Sequence, residues 1–202
     1  EDVISDTKVG LMKKADPIQL HFKDEYIPAR VSKATTVPIH MREAVRKELQ
    51  LLLDQDIIRP IKPTDPIHQS SRVVLVDKGN NKVRICVDYK AVNANAKYNT
   101  PYPLMTISDI ITRLPSDIQF AAVFDVTRGY HTLPMSEEAQ GHLVFVIDPE
   151  VYHGIGLFTY KRLPFGLNIS SSMFLINKYE ALKDLEGIYT IVDDILVVAP
   201  TL

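Results

Sequence analysis

The clearest periodic signal in the chain lies at residues 40–55, HMREAVRKELQLLLDQ. There Met41, Val45, Leu49, Leu52 and Leu53 recur at three- and four-residue spacing, with Arg42, Arg46 and Lys47 on the opposite side. That pattern predicts an amphipathic helix with one wet face. Upstream, Asp16-Pro17, Ile27-Pro28 and Val37-Pro38 interrupt every pattern, leaving one short alternating stretch, Ile18–Phe22, as a candidate strand. Pro60, Pro63 and Pro66 then force an extended, irregular passage.

Beyond it the period changes to two. Ser71–Val76 and Lys82–Tyr89 read as strands joined by Lys78-Gly79-Asn80-Asn81, residues that tolerate the positive φ of a hairpin turn. In the second strand Val83, Ile85 and Val87 alternate with Arg84, Cys86 and Asp88, so one face packs and the other presents polar groups. An extended connector over 97–105 leads to a short helix capped by Thr106 or Ser108 and ending near Pro115. FAAVFDV (120–126) reads as an apolar strand buried on both faces, Tyr130–Met135 as a further strand, and Ser136-Glu137-Glu138 as a helix start. Leu143–Ile147 and Gly156–Tyr160 form a second hairpin. A loop at 163–167 enters a helix over about 170–184, and Ile188–Val192 and Ile195–Ala199 are apolar strands split by Asp193-Asp194. Strands and helices mix without βαβ alternation, which predicts an α+β fold: an antiparallel sheet with packed helices.

Composition narrows the class without naming a chemistry. The chain has 202 residues, 46% of them hydrophobic and 24% charged, enough to bury a core and too apolar for disorder. No apolar run is long enough to span a membrane, so no membrane partner is expected. The first residues carry no secretory or targeting signal, which makes a cytoplasmic location the default expectation. A single cysteine, Cys86, excludes a disulfide framework and a multi-thiolate zinc site. The net charge of −2 supplies no global attraction for phosphates.

The acids carry more. IYTIVDDILVVAP (188–200) places Asp193 and Asp194 inside an otherwise mostly apolar run. A plain two-residue turn is one reading, but adjacent like charges suit a turn poorly, and a metal site is the other. Asp125 tips the balance, because a carboxylate inside an apolar strand is costly unless paired or metal-bound. Three carboxylates at the ends of neighbouring strands describe a site for two Mg²⁺ ions that clamp an in-line phosphoryl displacement.

With those acids in view, four ordered blocks stand out: VRICVDYKAVN (83–93), FDVTRGYH (124–131), RLPFGL (162–167) and VDDILV (192–197). Together with VPIHMREAVRKELQLLLDQDIIRPI ahead of them, they resemble the reverse transcriptases of gypsy-type LTR retrotransposons and their retroviral relatives, over about residues 36–200. The resemblance implies an RNA-directed DNA polymerase domain of a retroelement Pol polyprotein, with right-hand fingers and partial palm. It divides the chain into a lead-in (1–36), fingers (37–97), palm (98–132), fingers (133–168) and palm (169–202). It implies two-metal nucleotidyl transfer from a dNTP to a primer 3′-hydroxyl on an RNA or DNA template, with Mg²⁺ or Mn²⁺ held by Asp125, Asp193 and Asp194.

Tyr130 would be the aromatic that excludes a ribonucleotide's 2′-hydroxyl, and the backbone amides of Arg128 and Gly129 would approach the triphosphate. Arg84 would contact the incoming base and phosphates, Lys78 the γ-phosphate, and Phe165 and Gly166 the edge of the nucleotide pocket. The chain departs from the family pattern where Ile191 stands in place of the usual tyrosine before the acids. The proline and glutamine usual downstream of Leu167 are also missing. Thumb, ribonuclease H and integrase sequence is expected of such a polyprotein and does not follow Asp194, so a truncated chain is expected. The alternative is an inactive retroelement relic that retains metal or nucleic-acid binding. A nucleotide cyclase is disfavoured by the lack of a Gly-Gly-x-x-Phe hairpin.

Overall fold

A computed structural model describes residues 9–31, 33–97 and 105–200. In chain order the helices are α1 (Arg42–Asp54), α2 (Lys90–Asn95), α3 (Ile107–Arg113), α4 (Glu137–Gln140) and α5 (Ser170–Leu182). The strands are β1 (Ile58–Pro60), β2 (Ser70–Asp77), β3 (Val83–Val87), β4 (Phe120–Asp125), β5 (Val144–Val146), β6 (Leu157–Tyr160), β7 (Ile188–Ile191) and β8 (Asp194–Ala199). They form a five-stranded sheet in the order β1-β6-β5-β2-β3 and a three-stranded sheet in the order β4-β8-β7. The α+β class expected from the pattern is the one observed, but the larger sheet is mixed and not antiparallel throughout, because β2 pairs β5 in parallel.

The larger sheet carries the core. α1 buries Val45, Leu49 and Leu52 of the stripe read from its spacing, together with Ala44, while Met41 and Leu53 pack partly buried against the same core. These side chains join Val83, Ile85 and Val87 of β3 and Phe145 and Phe158 of the β5–β6 hairpin in one cluster. Removing that much apolar surface from water is the main stabilising term. The β2–β3 hairpin closes at Gly79, Asn80 and Asn81, all three at positive φ, as the turn chemistry predicts. Thr106 caps α3 with a reciprocal box: its side chain accepts from the Asp109 N–H, and Asp109 accepts from the Thr106 N–H.

Four further expectations need correction. Ile18–Phe22 is not a strand; Ile18 and Phe22 each make one isolated bridge, to Met135 and Ala96. Tyr130–Met135 is not a strand either, because a 3₁₀ turn over Gly129–Thr132 replaces it. β1, in the proline-rich passage, was not foreseen; it pairs only with β6, and an edge strand can end on Pro60, which lacks an N–H. Finally, β4 is exposed along its whole length, not buried on both faces. It is the edge of the smaller sheet, pairing β8 alone, and Val123 is 69% exposed. The connector expected over 97–105 falls almost wholly outside the described residues.

The segment ahead of α1 is tied to the body. Arg162 donates from Nη1 to the carbonyls of Val9, Gly10 and His131, and from Nε to Asp56. Met12 and Ile18 donate backbone hydrogen bonds to Thr132 and Pro134. Among the described residues, no helix is long and apolar enough to cross a membrane.

Candidate active site

The β4–β8 register places Asp125 directly opposite Asp194, each at the end of its strand. The hairpin between β7 and β8 turns on Val192-Asp193, since Ile191 pairs with Asp194. Asp194 therefore opens β8 and only Asp193 lies in the turn. All three acids are exposed, so the cost of burying Asp125 that the sequence implied does not arise. What the structure does show is convergence of the chain: the Val126 N–H donates to the Asp193 carbonyl at 3.1 Å, tying the end of β4 to the turn.

Although Asp193 is exposed, the chain packed around the turn partly desolvates its carboxyl and raises it above the usual carboxylate range. Lys178 opposes that rise, and the neighbouring charges of Asp125 and Asp194 add to it. The donor set is three hard oxygen ligands that repel one another, which is the chemistry of a divalent-ion site. Among the described residues, however, no three His, Cys, Asp or Glu side chains focus on a single ion position. The carboxylates share one end of the smaller sheet, where β4 finishes and β8 begins.

A separate cavity of about 810 Å³ opens between α1, the β2–β3 hairpin and the loop after β6. It gathers five of the residues singled out by sequence: Lys78, Arg84, Arg128, Phe165 and Gly166. Lys47 and Lys82 add positive charge, so this is a basic concavity suited to a phosphorylated ligand. Alternation along β3 buries Val83, Ile85 and Val87 and leaves Arg84 exposed and Cys86 half-buried, and the whole strand forms one wall of the cavity. Gly166 (φ +91°) brings the loop against β3, with Asn93 donating to its carbonyl at 2.8 Å.

Asp125, Asp193, Asp194, Gly129 and Tyr130 do not line this cavity. Tyr130 bounds it through Phe165, ring centroid to ring centroid 4.8 Å, and its hydroxyl lies 2.9 Å from Ser171 Oγ at the start of α5. Gly129 is buried, and the space its missing side chain leaves is filled by Phe174. The glycine is thus required by packing. The left-handed backbone belongs to Arg128, at φ +53°.

Several site residues were not legible in the sequence. Glu48 of α1 reaches Arg128 at 3.8 Å, fixing the guanidinium at the cavity wall. His131 is buried with Nδ1 3.0 Å from the Leu163 carbonyl; burial lowers its pKa to about 4, so it stays neutral. Lys178 is buried on α5, and its Nζ donates to the Val192 carbonyl in the acid turn. A signal for it existed: Ser170, Phe174 and Lys178 fall at i, i+4 and i+8, the buried stripe of that helix.

The family described as reverse transcriptase (RNA-dependent DNA polymerase) matches residues 76–202. The chain belongs to the reverse transcriptase family. An uncharacterized protein of Caenorhabditis elegans is 31% identical over 96% of the chain and 14% of its own length. The retrovirus-related Pol polyprotein from the Drosophila melanogaster transposon gypsy is 27% identical over 82% of the chain and 16% of its own length. This reverse transcriptase-family chain therefore spans about a seventh of the length of these curated relatives. Among solved structures, the foamy viral protease–reverse transcriptase in complex with an RNA/DNA hybrid superposes with a TM-score of 0.74. The two are 21% identical, over 98% of this chain and 25% of that one. The fold is thus that of a reverse transcriptase polymerase domain, and the family generally uses divalent metal ions.

Proposed function

We propose that the chain is the nucleotidyl-transfer region of an RNA-directed DNA polymerase, within a retroelement Pol polyprotein. The observation that carries this reading is the register of β4 on β8, which sets Asp125 against Asp194 with Asp193 in the adjoining turn.

The substrates would be a dNTP and an RNA or DNA template carrying a primer. Lys78, Arg84 and Arg128 in the basic cavity receive the triphosphate; Arg84 offers a planar fork and Glu48 keeps Arg128 in place. Tyr130, held by Ser171 and packed on Phe165 and Phe174, stands where the sugar rests and rejects a 2′-hydroxyl by contact. The primer 3′-oxygen attacks the α-phosphorus, a new P–O bond forms, and pyrophosphate departs with the broken bond's electrons. Asp125, Asp193 and Asp194 would hold two divalent ions, Mg²⁺ with Mn²⁺ as substitute. Once bound, such ions lower the pKa of the attacking hydroxyl and neutralise charge on the departing phosphates. Ile191, in place of the family's tyrosine, supplies apolar contact but no hydroxyl beside the turn.

Primer extension with purified protein, a template–primer and Mg²⁺ or Mn²⁺ tests the reading. Divalent-dependent incorporation is expected, with complementary dNTP shielding Cys86 in the cavity from a maleimide. Absence of incorporation at every protein concentration, together with unshielded Cys86, overturns it.

A further inference from the structure

Lys178 is the anomaly in this site. It is 2% exposed, among the largest fully buried side chains in the chain, and sits beneath the acid turn. An ammonium at that depth is costly unless it is paired. Its Nζ donates to the Val192 carbonyl and lies 5.4 Å from the centroid of the Phe174 ring. None of the ion pairs among the described residues includes it. Asp193 and Asp194 nevertheless attract it across the turn.

The residue it holds is itself strained. Val192 is β-branched and adopts φ +40°, in the left-handed region that such side chains avoid. The β7–β8 register and the Lys178 hydrogen bond act together on this one residue, immediately before Asp193. Lys178 therefore joins two features: a strained turn in need of an anchor and clustered acids in need of positive charge.

We propose that Lys178 is a tethered cation that fixes the Val192–Asp193 turn and partly neutralises Asp193 and Asp194 in the metal-free protein, so that divalent ions bind in competition with it. The inference rests on the reading above, that the three acids take divalent ions. It adds a consequence: the turn is preassembled before any ion arrives, and ion affinity is held below what the carboxylates alone would give. A fixed unit charge within a Debye length of a divalent ion weakens binding on the order of tenfold.

The test is Mn²⁺ binding to the purified chain without nucleotide, followed by electron paramagnetic resonance of the free ion. Lys178→Met and Lys178→Gln both remove the charge, and the glutamine keeps a donor for the Val192 carbonyl should the methionine variant fail to fold. Both are expected to bind Mn²⁺ about tenfold more tightly than wild type, while Lys178→Arg binds as wild type and Asp193→Asn binds more weakly. Equal or weaker binding by the neutral variants, beside clear wild-type binding lost in Asp193→Asn, overturns the proposal and leaves the metal reading standing. No Mn²⁺ binding by any of the proteins at millimolar ion overturns both.

Discussion

Gly129→Ala tests whether the turn after β4 is fixed by packing. A Cβ at that position would stand 2.6 Å from Cζ, 2.9 Å from Cε2 and 3.2 Å from Cε1 of Phe174. Ordinary carbon–carbon contact is about 3.5–4.0 Å, so the overlap approaches 1 Å. The ring cannot swing away, because Phe174 has no exposed surface and lies in edge contact with Tyr130 at 5.6 Å. The backbone is also held, since Gly129 donates to Val126 and accepts from Thr132 Oγ1 at 2.6 Å. Overpacking of this kind costs about 1–3 kcal/mol. Alanine returns about 0.4–1 kcal/mol by restricting the unfolded chain. At the middle of these ranges the net loss is about 1.3 kcal/mol, a fall in Tm of roughly 3–5 °C for a chain of this size. Circular-dichroism melts and urea midpoints at constant m measure it. Phe174→Leu in the same chain makes room, so the double variant should lose less than the two single losses added. A Gly129→Ala protein that melts at or above the wild-type temperature, or losses that simply add, would refute the packing argument.

The remaining expectations concern charge and selectivity. Partial desolvation and the neighbouring acids hold the Asp193 carboxyl above its unfolded value, so its ionisation opposes folding at neutral pH; Asp193→Asn should raise Tm at pH 7, and the gain should vanish below about pH 3.5, near the unfolded carboxylate value. Thermal melts at the two pH values check the sign. His131 runs the other way: its folded pKa of about 4 lies below the unfolded value of about 6.5, so stability is full above pH 6.5 and falls as the pH drops towards 4. The loss reaches about 3 kcal/mol at most, and an unfolding free energy that stays flat across this window would contradict it. Tyr130→Phe and Ser171→Ala each break the same hydroxyl pair, so both should relax discrimination against ribonucleotides by a similar factor of about 3–10, with no further relaxation in the double variant. Steady-state kcat/KM for paired deoxy- and ribonucleotides reads this out.

Local periodicity carried much of the fold. The α1 stripe and the three hairpins were legible because each is written in neighbouring residues: a 3.6-residue repeat, or alternation around Gly, Asn and Asp. α2, in the polar run KAVNAN, offered no such stripe, and β1 is too short and too proline-bound to announce itself. The misreading of β4 has a different origin. Its unbroken apolar run looks like a doubly buried strand, yet only β8 pairs with it, and sequence reports hydrophobicity without reporting what covers it. The acids stand out in the sequence as charges within apolar runs, yet Asp125 is not buried, and its place opposite Asp194 is a fact of register. The burial of Lys178 is written in the spacing of α5, but its partner Val192, 14 positions away, is not, and neither is the pairing of Glu48 with Arg128, 80 positions away; only folding creates those contacts.

The central claim is that Asp125, Asp193 and Asp194 act as one nucleotidyl-transfer centre. Single-nucleotide incorporation on an RNA template with a DNA primer, measured for wild type and for Asp125→Asn, Asp193→Asn and Asp194→Asn, tests it most directly. Each variant should retain its fold, and each should lose at least about a thousandfold in rate, as expected when members of one centre fail singly. A folded variant within tenfold of the wild-type rate would contradict the account.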